Sequence, residues 1–449
     1  MQPIYSWSWV EAQVAQTIAM WDNAAAHSAP NGAQYSHKQQ QQREKAYDQG
    51  LRVVERELKR VPQTEADRVK AQDRIVAAFA RFSATALDLE AETVHLLTDD
   101  FLPVGTKLAR WARQFDPDLG MADIIQACRN AWTACGLQPL LGDRMGMTPS
   151  VLGYSLLYPY SDNYLDCDDI PAEEKLRFSE RFRSRLLGDG IPAENYREAV
   201  LWTLVKLIEE QYPRASYPQV FDCLLAIHRA QEESLAQQRT GNPPDSLLRM
   251  SCAKGGTSVL ADACLAHGWL SVEESRFSFE WGVLLQLGDD LQDVGEDLRR
   301  GSLTLFSRAA LLGEPLDALV IQLLNFSEKV GARMDGLPNG THMFKKLLRM
   351  SWRSLIVGAV ANSHEFFSPA FLQQAERWSP FRFAFLRTRK ERLTSRQGLY
   401  AALFEAFLEP RENVYGELPP PYDRDFVPAA GLGCPISRSF FARCGIPRT

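Results

Sequence analysis

The sequence contains no apolar run of the roughly 20 residues that a membrane-spanning helix needs. Its opening stretch, MQPIYSWSWVEAQVAQTIAMWDN, has no basic leader, and Glu11, Gln13, Gln16 and Asp22 interrupt its apolar residues, which reads against a secretory signal or an anchor. The eight cysteines include no CxxC pair and have no histidine at zinc-finger spacing, so reduced thiols in the cytosol are expected. An excess of positive charge is also missing: 50 Lys and Arg against 56 Asp and Glu give a formal charge of −6, which argues against nucleic acid as the main partner. Alternation of apolar and polar residues, the mark of strands, is scarce. A soluble, cytoplasmic, all-α protein is expected.

With 45% hydrophobic residues, 449 residues can bury a large core. From Arg43 onward apolar residues recur at three- and four-residue intervals, as in Leu51, Val54 and Leu58 and again in Ile75, Phe79 and Phe82, the spacing of amphipathic helices. Turn signals such as Gly190-Ile-Pro192, Tyr217-Pro218 and Gly336-Leu-Pro338 divide the chain into helix-length segments. Three regions are expected: residues 1–42, an N-terminal helix and a flexible connector ending in Gln39 to Gln42; residues 43–408, a helical catalytic domain; and residues 409–449, an irregular tail rich in Pro, Gly and Arg.

Two acidic segments stand out. Tyr158-Pro-Tyr-Ser-Asp162-Asn-Tyr-Leu-Asp166-Cys-Asp168-Asp169-Ile-Pro171 places four carboxylates in a short stretch, with Asp162 and Asp166 on one helix face. In Gln286-Leu-Gly-Asp289-Asp290-Leu-Gln-Asp293-Val-Gly-Glu-Asp297, the residues Asp289, Asp293 and Asp297 form an i, i+4, i+8 line directly after the apolar Val283-Leu-Leu285. Like charges at that spacing destabilise a helix by a few tenths of a kcal/mol, and acids at the mouth of an apolar interior need a counter-ion. Hard divalent cations with oxygen ligands answer that need, and two carboxylate walls can hold a diphosphate through bridging Mg²⁺.

The second segment resembles the second Asp-rich motif of trans-prenyl diphosphate synthases, where a Gln precedes DDxxD. Upstream, Lys254-Gly-Gly-Thr257 resembles the segment that carries their diphosphate-binding Lys and Thr, and downstream Asp297-Leu-Arg299-Arg300-Gly301 resembles their basic stretch. The resemblance spans roughly residues 126–310 and implies membership of the class I isoprenoid synthase superfamily: a helical bundle around a central apolar cavity, three magnesium ions and a prenyl diphosphate substrate. It implies Asp162, Asp166, Asp289, Asp293 and Asp297 as metal ligands, Asp290 as a further catalytic acid, and Lys254, Thr257, Gln286 and Arg300 as contacts to the diphosphate. A homodimer is compatible with it.

The first motif, DxxxD followed by Asp168-Asp169, is closer to squalene and phytoene synthases and to large bacterial terpene synthases. The Arg-Arg pair and the Lys-Arg-x-Arg-Pro stretch that chain-elongating synthases use to hold isopentenyl diphosphate are not found around it. A terpene synthase acting on one diphosphate is therefore favoured over an elongating or head-to-head condensing prenyltransferase, with a non-catalytic partner or lipid-binding protein of the same fold as a further alternative. His228, Arg229, Glu232 and Glu233 read as i, i+4 pairs on a helix surface, and Arg387, Arg389, Lys390, Arg392 and Arg396 as a solvated basic face.

Overall fold

A computed structural model describes residues 4–60, 64–117, 119–165, 167, 169–237 and 244–395. Asp166, Asp168, Arg396 and the tail 409–449 lie outside the described residues. Among the described residues all regular secondary structure is helical. The first five α-helices are α1 (Trp7–Asp22), α2 (His37–Leu58), α3 (Glu65–Ala86), α4 (Ala91–His95) and α5 (Leu102–Phe115). Next come α6 (Met121–Leu141), α7 (Pro149–Leu165), α8 (Ala172–Leu187), α9 (Tyr196–Gln211), α10 (Pro218–Gln237), α11 (Pro244–His267) and α12 (Val272–Gln292). The series closes with α13 (Val294–Arg300), α14 (Leu305–Leu311), α15 (Asp317–Asp335), α16 (His342–Asn362), α17 (Pro369–Glu376) and α18 (Phe383–Ser395). No described helix is long and apolar enough to cross a membrane.

The core is built where α11 and α12 cross. Gly255 on α11 faces Gly282 on α12, where the two backbones meet with no side chain between them, and Gly256 makes room for the ring of Phe279. Around that pair α6, α7, α10, α15 and α16 pack, burying Phe277, Phe279 and Phe326 completely. Such large rings dominate core energetics because each removes so much apolar surface from water.

The N-terminal region differs from its expected organisation in two ways. First, α1 is part of the core: Val10, Val14, Thr17 and Trp21 form one buried face against α11 and α15, and Trp21 meets Phe326 edge-on at 5.8 Å. The chain after it is tied down as well, since Asn325 Nδ2 donates to the carbonyls of Ala25 and Ser28 at 2.6 and 2.8 Å. Second, Gln39 to Gln42 are not a connector but the first turns of α2. Ser36 and Gln39 cap each other reciprocally, and Gln40 Nε2 donates to the carbonyls of Glu376 and Ser379 at 2.8 and 3.1 Å. Glutamine is a good helix former, and Ser-x-x-Gln is a helix start signal that composition alone conceals.

Candidate active site at the end of α12

The second acidic motif sits where α12 ends. Ser271 and Glu274 start this helix with a capping box, and it runs buried through Val283 and Leu284 before reaching the acids. It stops at Asp293, which caps α12 and opens α13, so Asp289, Asp293 and Asp297 do not continue one helical line as expected. Asp is a poor helix former and Gly295, two residues on, is poorer still, although the Asp293 side chain makes no capping hydrogen bond. The junction nonetheless keeps the acids together, because the Asp293 amide still reaches the Asp289 carbonyl and the Asp297 amide the Asp293 carbonyl, each at 2.9 Å, before α13 ends at Gly301 in the left-handed region (φ 71°).

Each acid has its own surroundings. Asp289, partly exposed, accepts from Arg129 Nη2 of α6 at 3.0 Å. Asp290 is buried and accepts from Ser251 Oγ at 2.6 Å and from Gln286 Nε2 at 2.8 Å. Desolvation pushes the Asp290 carboxyl up to about 6, against the opposing pull of Ser251, Gln286 and Lys254. Asp297 is pushed up to about 7 by desolvation and by Asp290, Asp293 and Glu296. Asp289 and Asp293 are also raised, first by desolvation, while Arg129 lowers both, Lys254 lowers Asp289 and Lys390 lowers Asp293.

The structure thus gathers Asp289, Asp290, Asp293, Asp297, Gln286 and Lys254. Arg129 joins them from α6, where its only sequence signal is a lone basic residue in the helix segment Ala127-Cys-Arg-Asn130. Other expected participants are engaged differently. Thr257 is wholly buried, and its hydroxyl donates to the Ala253 carbonyl at 2.6 Å. Arg300 is exposed and pairs with Glu296 at 2.5 Å. Asp162, on α7, accepts from Gln231 Nε2 of α10 at 3.0 and 3.1 Å.

Nor is the basic run on α18 a free face: Arg389 pairs with Asp48 at 2.6 Å, Arg392 with Glu55 at 3.3 Å, and Arg387 donates to the Ala361 carbonyl at 3.3 Å. These contacts fasten α18 to α2 and α16. Lys390 is the residue of this run whose charge acts on Asp293.

Every acidic donor at this mouth is a carboxylate oxygen, the hard donor that magnesium takes. Among the described residues no three acidic, histidine or cysteine side chains converge into a ready metal cage. Magnesium does not require one, since it usually takes one or two carboxylates and keeps water and substrate phosphate for its remaining positions. The donor chemistry therefore fits magnesium.

The chain matches no family model, no curated protein and no solved structure.

Raised carboxyl pKa values have a consequence for stability. The folded protein holds a proton on Asp290 up to about pH 6, whereas the unfolded chain loses it near the ordinary value of 3.8. Ionisation therefore costs stability that is lost progressively as pH rises from about 4 to about 6 and stays lost above that, on the order of 3 kcal/mol from this group, and the cost is relieved as pH falls back through the same window. Glu232 has the opposite sign, held down at about 2 chiefly by His228, so its contribution is lost only as pH falls from about 4.5 towards 2. Thermal melts without added divalent metal are expected to rise as pH falls from about 7 to about 4.5, through the windows of Asp297 and Asp290, and to fall below pH 4. The Asp290→Asn variant should show a flatter slope between about pH 6 and pH 4.

Proposed function

We propose that the chain is a class I terpene synthase, which binds a prenyl diphosphate with magnesium at the acidic mouth and ionises it, after which the cation cyclises or loses a proton. The observation that carries this reading is the gathering of Asp289, Asp290, Asp293 and Asp297 beside Lys254, each carboxyl raised first of all by desolvation. Asp290 is buried, Asp289 and Asp297 are half-buried and Asp293 stands exposed at the rim, and carboxylates gathered at such an edge favour a cationic ligand. Lys254, Arg129 and Lys390, whose charges also reach these acids, favour an anion arriving with that cation. A metal diphosphate complex meets both demands.

On this reading Asp289 and Asp293 would hold metal, with Asp162 and Asp166 of the first motif, and Asp297 completes the wall. Asp290 fixes Gln286 through the 2.8 Å hydrogen bond, and Lys254 meets a diphosphate oxygen. Bound magnesium supplies Lewis-acid neutralisation of the charge that develops on the departing diphosphate. Helices below the mouth belong to an isoprenoid-synthase-like bundle whose apolar interior receives the prenyl chain and keeps water from the cation.

The test is incubation of the purified chain with Mg²⁺ and prenyl diphosphates from C10 to C25, singly and with isopentenyl diphosphate. Pyrophosphate and a cyclised or rearranged product from one diphosphate alone are expected. A longer diphosphate formed only with isopentenyl diphosphate would make the protein a prenyltransferase. No pyrophosphate under any condition would leave a non-catalytic protein.

A further inference from the structure

Arginines that fasten helices together in this fold do so with both prongs of the guanidinium. Arg181 of α8 meets Glu198 of α9 at 2.7 and 2.8 Å, and Arg185 meets Glu209 at 2.7 and 2.5 Å, with all four side chains mostly buried. Paired forks of this kind are the strong form of the contact. Arg129 is built differently. Its stretch of α6 is fixed by packing, since Cys128 and Ala131 are buried. Its side chain stands out from the helix, 58% exposed, and reaches Asp289 through Nη2 alone, at 3.0 Å. The guanidinium makes no other hydrogen bond among the described residues, so most of its five N–H groups remain to be used.

The place of this weak contact gives it meaning. The Arg129 charge acts on Asp289 and on Asp293, against the desolvation that dominates at both. These are the two acids of the second motif that the terpene synthase reading gives first to the metal. A guanidinium and a magnesium ion repel each other and compete for the same carboxylate. An exposed, single-pronged ion pair contributes little and gives way easily. Once free, a planar fork is well shaped for phosphate oxygens, which an ammonium meets only as a point charge.

We infer that Arg129 is a placeholder cation at this mouth, which occupies Asp289 until magnesium comes and then turns its freed guanidinium to the diphosphate. This rests on the terpene synthase reading and adds an exchange to it: the two halves of one ion pair separate, each to a ligand of opposite charge. Magnesium alone must displace Arg129 without giving it a new partner. Magnesium with diphosphate gives it one. The mouth therefore binds the two together better than either alone, and the coupling is reciprocal.

Full-length wild type, Arg129→Gln and Arg129→Lys are titrated calorimetrically with Mg²⁺ alone, then with inorganic pyrophosphate at saturating Mg²⁺. In Arg129→Gln the competing charge is gone, so Mg²⁺ alone should bind up to about fivefold more tightly. Pyrophosphate should bind about ten- to a hundredfold more weakly, for want of its charged hydrogen bonds. A merely structural role would weaken both. Arg129→Lys keeps the charge but not the fork, so Mg²⁺ affinity should match wild type while pyrophosphate binding still falls. In an Asp289→Asn background, Arg129→Gln should no longer tighten Mg²⁺ binding. Shifts of the same sign in Arg129→Gln, or an unmoved affinity for either ligand, overturn the inference. So does Arg129→Lys that binds pyrophosphate as wild type does, or tightening that persists without the Asp289 carboxylate. Wild type in which Mg²⁺ does not promote pyrophosphate binding overturns the metal diphosphate reading of the mouth and this inference together.

Discussion

Asp289→Asn should lower magnesium-dependent pyrophosphate release by about 10²–10³-fold, the usual scale for removing one group that stabilises developing charge. It should do so without unfolding the protein. The carboxyl it removes is raised first by desolvation, so the folded state gains little from its charge at neutral pH. Its ion pair with Arg129, at 3.0 Å, joins two partly exposed side chains, 58% and 39% accessible, and such pairs contribute at most about 1 kcal/mol. Melting temperature in the absence of metal should therefore match or exceed that of wild type. Loss of turnover together with retained stability is the signature of a ligand that serves the reaction and not the fold. Turnover equal to wild type would remove Asp289, and with it the proposed metal wall, from the mechanism.

The features that were legible in the sequence are the ones carried by local spacing. Periodic apolar residues announced an all-helical chain, and the interval of four between Gln286 and Asp290 put them in the contact that the fold displays. Lys254 was picked out by its Gly-Gly context, and Gly255 is the residue that lets α11 approach Gln286 so closely. What sequence reasoning missed depends on neighbours far along the chain. Nothing near Arg129 signals that Asp289, 160 residues later, will be its partner. His228 paired with Glu232 as its spacing suggested, but its burial comes from Ser179 and Phe182 on another helix. The inward turn of Thr257 followed from competition between side-chain and helical hydrogen bonding, and motif matching weighs neither that nor the break at Asp293. Glutamine-rich composition concealed a capping box for the same reason.

Gly282→Ala is expected to damage stability and site at once. A methyl group at this position would stand 2.0 Å from the Gly255 carbonyl oxygen and 3.0 Å from Val259 Cβ. The first obstacle is backbone, so no side-chain rotation relieves it and α11 must move away from α12. Overpacking of a core typically costs about 1–3 kcal/mol and occasionally more. Glycine inside a helix is itself unfavourable by about 1 kcal/mol relative to alanine, so its presence here opposes propensity and is explained by the close crossing. That crossing sets the site: Ser251 reaches Asp290 at 2.6 Å from α11, and Lys254 acts on Asp289 and Asp290 from the same helix. Moving α11 outward lengthens the Ser251 contact and withdraws Lys254, so pyrophosphate release should fall along with the melting temperature. Gly358→Ala in α16, where an added Cβ meets nothing within 4 Å, is the matched control and should be neutral or stabilising by up to about 1 kcal/mol. Equal melting temperatures for the two variants would mean that α11 and α12 can separate freely, and the two-helix crossing would then not be what aligns Lys254 with the acids.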